Sequence, residues 1–258
     1  ADTTFVSSDN VLFEIHGSYL TLSTSIGFAK PSGDTMSRDL IHLPESSQVL
    51  EALFQFIEPP SDSRNYRQPS VADLSSNLFF EVAEAAEKYI VYAAMNVCIT
   101  TMRYVLKSDS PEVLNHCYKH GYTNLIDQAA SNMLSRSLTE AAIKLTAPGL
   151  LQRWTFYYGQ WHDAIQDAIS KLEKNMPRDC HVWSRVLASY ARKFEKDPTL
   201  YFMVKPSIPT DVSPRICSSY GCSCKELPDK WPAWFEEICD SALVKFRSMA
   251  KFSDVTIG

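Results

Sequence analysis

The chain has 258 residues, of which 45% are hydrophobic, and its formal net charge is −5. This composition supports a buried core and argues against disorder, and the length suffices for one large domain or two ordinary ones. The acidic balance argues against nucleic acid as the main partner, and the short apolar stretches argue against a membrane partner.

The first third of the chain is predicted to mix strands and helices. TTFVSSD and NVLFEIHGSYL are two β-rich runs around a turn at Asp9-Asn10, and polar and apolar residues alternate over LFEI as in a half-buried strand. DLIHLP predicts a third short strand. ESSQVLEALFQFIEP has the apolar spacing of a helix, which Ser46 or Ser47 would cap.

Helical periodicity dominates from residue 76 onward. Gly121 is predicted to end one of these helices as its C′ residue. The longest predicted helix is PGLLQRWTFYYGQWHDAIQDAISKLEK, and its aromatic residues, Tyr157 among them, favour core packing over a peptide groove. The apolar face of this helix is predicted to consist of Leu151, Trp154, Tyr158, Trp161, Ile165, Ala168, Ile169 and Leu172.

The first part of the chain resembles a BTB/POZ domain. The match is carried by Asp2 followed by TFV, then FEIHGSYL, IHLPESSQVLEALFQFIEP and VAEAAEKYIVYAAMNVC, in the order in which the family has them. It is similar to the BTB proteins that are numerous in mushroom-forming fungi, and SPEVLNHCYKHGYTNLIDQAA resembles a BACK-type helical extension. The resemblance implies an α+β fold: a BTB/POZ-like small mixed sheet covered by helices at 1–107, BACK-like helices at 108–147, and an all-α C-terminal extension at 148–258.

The same resemblance implies a non-enzymatic protein–protein interaction module, either an adaptor for a ubiquitin ligase or a transcriptional regulator or scaffold. Its expected partners are proteins: a second copy in a homodimer, or a cullin scaffold. Residues 22–38 and 59–77 depart from the family pattern in regions that form part of the cullin surface, which leaves cullin binding open. The resemblance also implies a structural role for His16, hydrogen-bonded to Asp2.

Two other polar pairs have a spacing that could serve chemistry. Glu81 and Glu84 have helical spacing, which predicts a solvated helix face rather than general acid–base groups. His116 and His120 lie four residues apart and could share a metal, but the sequence indicates no third ligand, and surface or half-buried histidines are the favoured interpretation. We therefore predict no catalytic residues.

Three cysteines cluster in CSSYGCSC, which spans residues 217–224 of a proline-bounded loop. A structural zinc ion takes four thiolate or imidazole ligands. Cys217, Cys222 and Cys224 would supply three, with Cys180 or His181 as the fourth, and the metal would stabilise the loop. The C-x4-C-x-C spacing departs from the usual C-x2-C, and unligated thiols or a disulfide are the alternatives. The alternative function is a zinc-dependent enzyme or nucleic-acid-binding protein built on this region.

The other three cysteines, Cys98, Cys117 and Cys239, lie on apolar faces of predicted helices and are expected to be buried, inert thiols. ADTTFVSSD lacks the basic and apolar segments of a signal peptide. A chain of this length with seven cysteines and no such segment fits a reducing compartment. We therefore expect an intracellular protein, cytoplasmic or nuclear.

Overall fold

The computed structural model describes residues 1–24, 28, 40–58, 68–176, 180–196 and 233–256. The chain forms two compact units, Ala1–His116 and Cys117–Gly258. The predicted α+β class is confirmed, because the described residues are mostly helical with one small sheet of three strands. The finer division into 1–107, 108–147 and 148–258 stays a prediction.

The first unit combines the sheet with helices that cover it. The sheet order is β2-β1-β3, and β1 is antiparallel to β2 and parallel to β3. The boundary of the unit falls within α5. These elements are β1 (Thr3–Val6), β2 (Leu12–Ile15), α1 (Gly17–Ser23), β3 (Leu40–His42), α2 (Ser47–Phe54), α3 (Ser76–Tyr89), α4 (Tyr92–Met102) and α5 (Ser110–His120).

The strand register places one face of the sheet in the core. Phe5 of β1 pairs with Phe13 of β2 and with Ile41 of β3, so these three side chains share a face. The Phe5 ring is fully buried and lies 5.4 Å from that of Phe54 in α2. As predicted, Ser46 caps α2, its hydroxyl accepting the N–H of Val49.

The predicted β-run NVLFEIHGSYL is a strand only as far as Ile15, and α1 begins at Gly17. The carboxylate of Asp2 accepts the N–H of Gly17 at 2.6 Å, which satisfies one of the donors that a helix start leaves unpaired. The sequence pattern missed this helix because its anchoring carboxylate lies fifteen residues earlier in the chain.

The break between α3 and α4 falls at an unusual residue. Ile90 follows α3 in the left-handed conformation, with φ of 54°. A β-branched residue rarely adopts that conformation, because its side chain crowds the following carbonyl. The N–H of Val91 bonds to the carbonyl of Ala86, so the reversal satisfies the helix end at a cost in local strain. Gly121, the predicted C′ residue of α5, is also left-handed, with φ of 76°.

All secondary structure among the described residues of the second unit is helical. The long helix α8 (Leu150–Asn175) contacts α9, α10 and a short 3₁₀ helix at Phe252–Asp254. That short helix also contacts α6. Near the end of α8, apolar residues of α8, α9 and α10 form one cluster in which the rings of Trp183 and Phe235 lie 5.7 Å apart. The elements are α6 (Thr123–Met133), α7 (Leu138–Lys144), α8 (Leu150–Asn175), α9 (His181–Lys196), α10 (Ala233–Arg247) and a short 3₁₀ helix at Phe252–Asp254, called the Phe252 turn below.

The buried face of α8 agrees with the predicted face in its second half and differs in its first. Trp154 is fully buried, as predicted. In the first half, Leu150 and Tyr157 are buried, whereas the predicted Leu151 and Tyr158 are half-buried. Aromatic residues surround this part of the helix, so apolar spacing alone does not determine which of them face the core.

Truncation of Leu53 tests the placement of the first core. Leu53 in α2 is fully buried, so Leu53→Ala should lower the free energy of unfolding by about 2–5 kcal/mol. The measurement is urea unfolding followed by circular dichroism. Glu51→Ala on the exposed face of the same helix is the matched control, with an expected change within about 0.5 kcal/mol. Equal losses in the two variants would contradict the described packing of α2.

Candidate functional site

The predicted zinc ligands fall mostly outside the described residues. Cys217, Cys222 and Cys224 lie outside them, and for His181 only the backbone is described, as the first residue of α9. Cys180 directly precedes α9 and is buried among apolar residues of α8, α9 and α10. The zinc site therefore stays a prediction. Of its two alternative fourth ligands, Cys180 is buried in an apolar cluster.

His16 lies at a junction of segments, in an arrangement that differs in detail from the expected one. Its Nδ1 lies 2.5 Å from a carboxylate oxygen of Glu58, and its backbone N–H donates to the other oxygen at 2.9 Å. Asp2, the expected partner, instead accepts the N–H of Gly17. Burial opposes the charge of Glu58, but the two hydrogen bonds from His16 outweigh it and lower the pKa of this carboxyl. The imidazole thus connects the start of α1 to the segment after α2, which is a structural task.

A second histidine lies between carboxylates inside the first unit. The His116 side chain is 3% exposed, and its Nδ1 lies 2.8 Å from Glu84 and its Nε2 3.7 Å from Glu87. Glu84 was expected on a solvated helix face, but it is half-buried and paired, whereas Glu81 is exposed. Imidazole and carboxylate are ligands for divalent metals, and they equally satisfy each other when buried. His116 is therefore buried, not at the surface or half-buried as favoured, and the two glutamates of α3 satisfy its imidazole, so we assign this cluster a structural role.

A buried phenol that the sequence did not single out is tied to another carboxylate. The hydroxyl of Tyr89 donates to Glu45 at 2.5 Å, and the ammonium of Lys88 contacts the other carboxylate oxygen at 2.7 Å. Burial first, then the hydrogen bond to Glu45 and its charge, raise the pKa of Tyr89 far above its usual range. The phenol therefore stays protonated and acts as a donor rather than as a base.

The buried thiols of Cys98 and Cys117 are poor nucleophiles, as predicted. Burial raises the pKa of Cys98 and of Cys117 to about 12, and the charge of Glu87 adds to the effect at Cys98. Only a thiolate attacks efficiently, so these groups are inert at neutral pH. Cys239 differs from the prediction in being half-buried.

One exposed apolar feature of the first unit lies on the side of the sheet that faces away from the core. Side chains alternate between the two faces of a sheet, and Thr4 with the residues that pair with it points to this outer sheet face. Leu12 on β2 is 60% exposed and Leu40 on β3 is 52% exposed, although each lies in a strand. Both belong to the two edge strands of the described sheet, whose outer backbone groups are open to pairing. The outer sheet face consists of the exposed residues Leu12, Glu14, Leu40 and His42 on the edge strands, with half-buried Thr4 and buried Val6 on the central strand.

The turn beside this face is rigidly anchored. The carboxylate of Asp9 accepts the N–H of Ser47 at 2.8 Å and its hydroxyl at 2.6 Å, which joins the predicted turn to the start of α2. Ser7 and Val11 close the hairpin with backbone and side-chain hydrogen bonds, and Asn10 adopts φ of 64°. An anchored hairpin presents Leu12 at little entropic cost on binding.

Of the four aromatic residues of α8 that were expected in the core, Trp154 and Tyr157 are buried, whereas Tyr158 and Trp161 are half-buried. Tyr157 is buried, its hydroxyl lies 3.1 Å from that of Ser131 on α6, and its ring meets that of Phe252 edge to face at 5.8 Å. Trp154 is fully buried beside Tyr158, with ring centroids 5.1 Å apart. The segment that covers these rings belongs to the chain itself.

In the described parts of the chain, no helix has both the length and the apolar content needed to cross a membrane. No protein-family model, curated protein or solved structure matches the chain.

Acid should weaken the anchor at the turn. The hydrogen bonds from the Ser47 and Ser7 hydroxyls lower the pKa of Asp9 to about 2, from about 3.9 in an unfolded chain. The folded state therefore gains stability from Asp9 above pH ~4 and loses it as the pH falls towards ~2. Asp9→Asn should be less stable at pH 7 and should lose less stability than the wild type between these limits, as measured by urea unfolding at stepped pH. Ser47→Ala should give the same flattening; an unchanged pH profile in both variants would contradict the anchor.

Proposed function

We propose that the chain is a non-enzymatic protein–protein interaction module of the BTB/POZ type, acting as an adaptor or scaffold. Support comes from the ordered motifs TFV, FEIHGSYL, IHLPESSQVLEALFQFIEP and VAEAAEKYIVYAAMNVC. Support comes also from the small sheet and the helices around it, which these motifs form. Roles as a ubiquitin-ligase substrate adaptor or as a transcriptional regulator both belong to this proposal.

The outer sheet face is the observation that carries the proposal. Isolated exposed apolar residues are ordinary, but Leu12 and Leu40 flank the same central strand on the same face. They lie on edge strands, where a partner can add backbone pairing to apolar contact. The polar groups nearby, Glu14, Thr4 and His42, give such an interface a hydrophilic rim.

The paired titratable groups of the first unit support binding over catalysis. The carboxylates of Glu45, Glu58 and Glu84 each hold a tyrosine or histidine from another segment. A general acid or base must instead present its proton to a substrate in a cleft. The partners we propose are a second copy of the chain or a cullin-type scaffold.

Introducing a charge on the outer sheet face should weaken association. Leu12→Glu and Leu40→Glu should each weaken self-association or cullin binding about tenfold or more, because each removes a leucine contact and buries a charge. Light scattering behind size-exclusion chromatography gives the mass over a concentration series. Pull-down with a cullin amino-terminal domain measures binding to the second proposed partner. Since both side chains are already exposed, melting temperatures should stay within about 2 °C of the wild type.

Leu138→Glu is the matched control, since Leu138 is 54% exposed and lies in the second unit. It should leave both forms of association unchanged. A wild-type chain that is strictly monomeric and does not bind cullin would remove the ligase-adaptor version. Association that survives both sheet variants would show that another surface carries it.

We further propose the structural zinc ion held by Cys217, Cys222 and Cys224, with Cys180 or His181 completing the tetrahedron. Elemental analysis of the purified chain should find about one zinc per molecule. Cys217→Ser should lose the metal and melt several degrees lower. Cys239→Ser, outside the ligand set, should keep it. Absence of zinc in the wild type together with equal melting temperatures in all three proteins would exclude the site.

A further inference from the structure

The Phe252 turn is held in the second unit by aromatic packing, by a cation–π contact and by hydrogen bonds. Phe252 has no exposed surface, and its ring meets Tyr157 of α8 edge to face. The guanidinium of Arg153, one turn earlier on α8, lies 5.0 Å from the centroid of the same ring. Val255, three residues further on, is also buried. The turn thus inserts one aromatic anchor between α6 and α8.

Four polar contacts fix the main chain around this anchor. Arg153 donates from Nε to the carbonyl of Phe252 at 3.2 Å and from Nη2 to that of Ser253 at 2.6 Å. Asp127 of α6 accepts the N–H of Ser253 at 2.8 Å and its hydroxyl at 3.1 Å. One cationic and one anionic side chain, from two different helices, therefore hold opposite hydrogen-bonding groups of the same short segment.

These contacts have the composition of a peptide-recognition site. Three of the four polar contacts address backbone atoms that any segment offers, and specificity comes from a buried aromatic side chain followed by a hydroxyl. Peptide-binding domains combine main-chain hydrogen bonds with side-chain pockets in the same way. Charge-assisted bonds in a half-buried site are also the strongest that such a groove can offer.

We infer that the surface formed by Asp127, Arg153 and Tyr157 is a peptide-binding groove for segments of the type Phe-Ser, and that the Phe252 turn occupies it as an intramolecular ligand. Because the turn is tethered, it acts at an effective concentration of about millimolar, and a free peptide has to displace it. The groove is therefore closed to partners until its own segment is displaced. The partner that it fits is an irregular segment of another protein with a phenylalanine before a serine.

This inference concerns the second unit, whereas the proposed function rests on the outer sheet face of the first. The two therefore fail independently: variants of Leu12 and Leu40 leave the groove intact, and variants of the groove leave the sheet face intact. The experiment below accordingly reads peptide binding rather than oligomeric state or cullin capture.

The test uses the full chain and a fluorescent hexapeptide with the sequence of residues 251–256, Lys-Phe-Ser-Asp-Val-Thr. Phe252→Ala weakens the intramolecular ligand without changing the groove. By fluorescence anisotropy it should bind the peptide about tenfold or more tightly than the wild type does. Adding Asp127→Asn to Phe252→Ala should reverse the gain by about tenfold, because one charge-assisted pair of bonds is lost. A peptide with alanine in place of phenylalanine is the matched ligand control.

A folded Phe252→Ala chain that binds the two peptides equally would overturn the inference. Should Phe252→Ala not fold, the wild type itself decides. Saturating hexapeptide should accelerate hydrogen exchange at the Ser253 amide, since the displaced turn loses its bond to Asp127, whereas the alanine peptide should not. Unchanged exchange at that amide under saturating peptide would contradict the inference, because the turn would then be a permanent part of the core.

Discussion

The burial of Phe5 in the central strand is the contact on which the first unit depends. A sheet of three short strands is marginal by itself and needs a helix layer to cover one apolar face. Phe5 supplies the centre of that face, with Phe13 and Ile41 beside it and Phe54 of α2 against it. Since the covering helices lie on this side, Leu12 and Leu40 on the opposite side stay exposed, and the proposed interaction surface follows from how the core is built.

Carboxylates join distant segments in both units, and this use explains their chemistry. Asp9 holds the start of α2, Glu45 holds Tyr89, and Glu84 holds His116, each across more than thirty residues of sequence. Removing a carboxylate from water without a partner is unfavourable, so half-buried Glu45 and Glu84 are stabilising only with their partners in place. The same pairing that stabilises the fold removes the groups from acid–base work. Asp127 performs this task in the second unit, on Ser253.

Local signals predicted most of the helical architecture, and distant contacts account for what they missed. The cap at Ser46 and the left-handed stop at Gly121 depend on residues within one turn, which the sequence displays directly. The helix at Gly17 depends on a carboxylate fifteen residues away, and the bond between Glu45 and Tyr89 spans forty-four, so no local pattern contains them. The outer sheet face is intermediate: alternation over LFEI separates its two sides, but only the register with β1 and β3 places Leu12 and Leu40 together.

The two candidate surfaces differ in how they would select a partner. Leu12 and Leu40 offer apolar area and open strand edges, so recognition there depends on shape and on the backbone geometry of the partner, and it tolerates many sequences. The groove of the second unit offers opposite charges at fixed positions beside one aromatic pocket. A segment that lacks the aromatic anchor, or whose backbone turns the wrong way, leaves Arg153 or Asp127 desolvated and unpaired, and that penalty rejects it. Selectivity in this chain should therefore reside in the charged groove, whereas the sheet face supplies contact area for assembly.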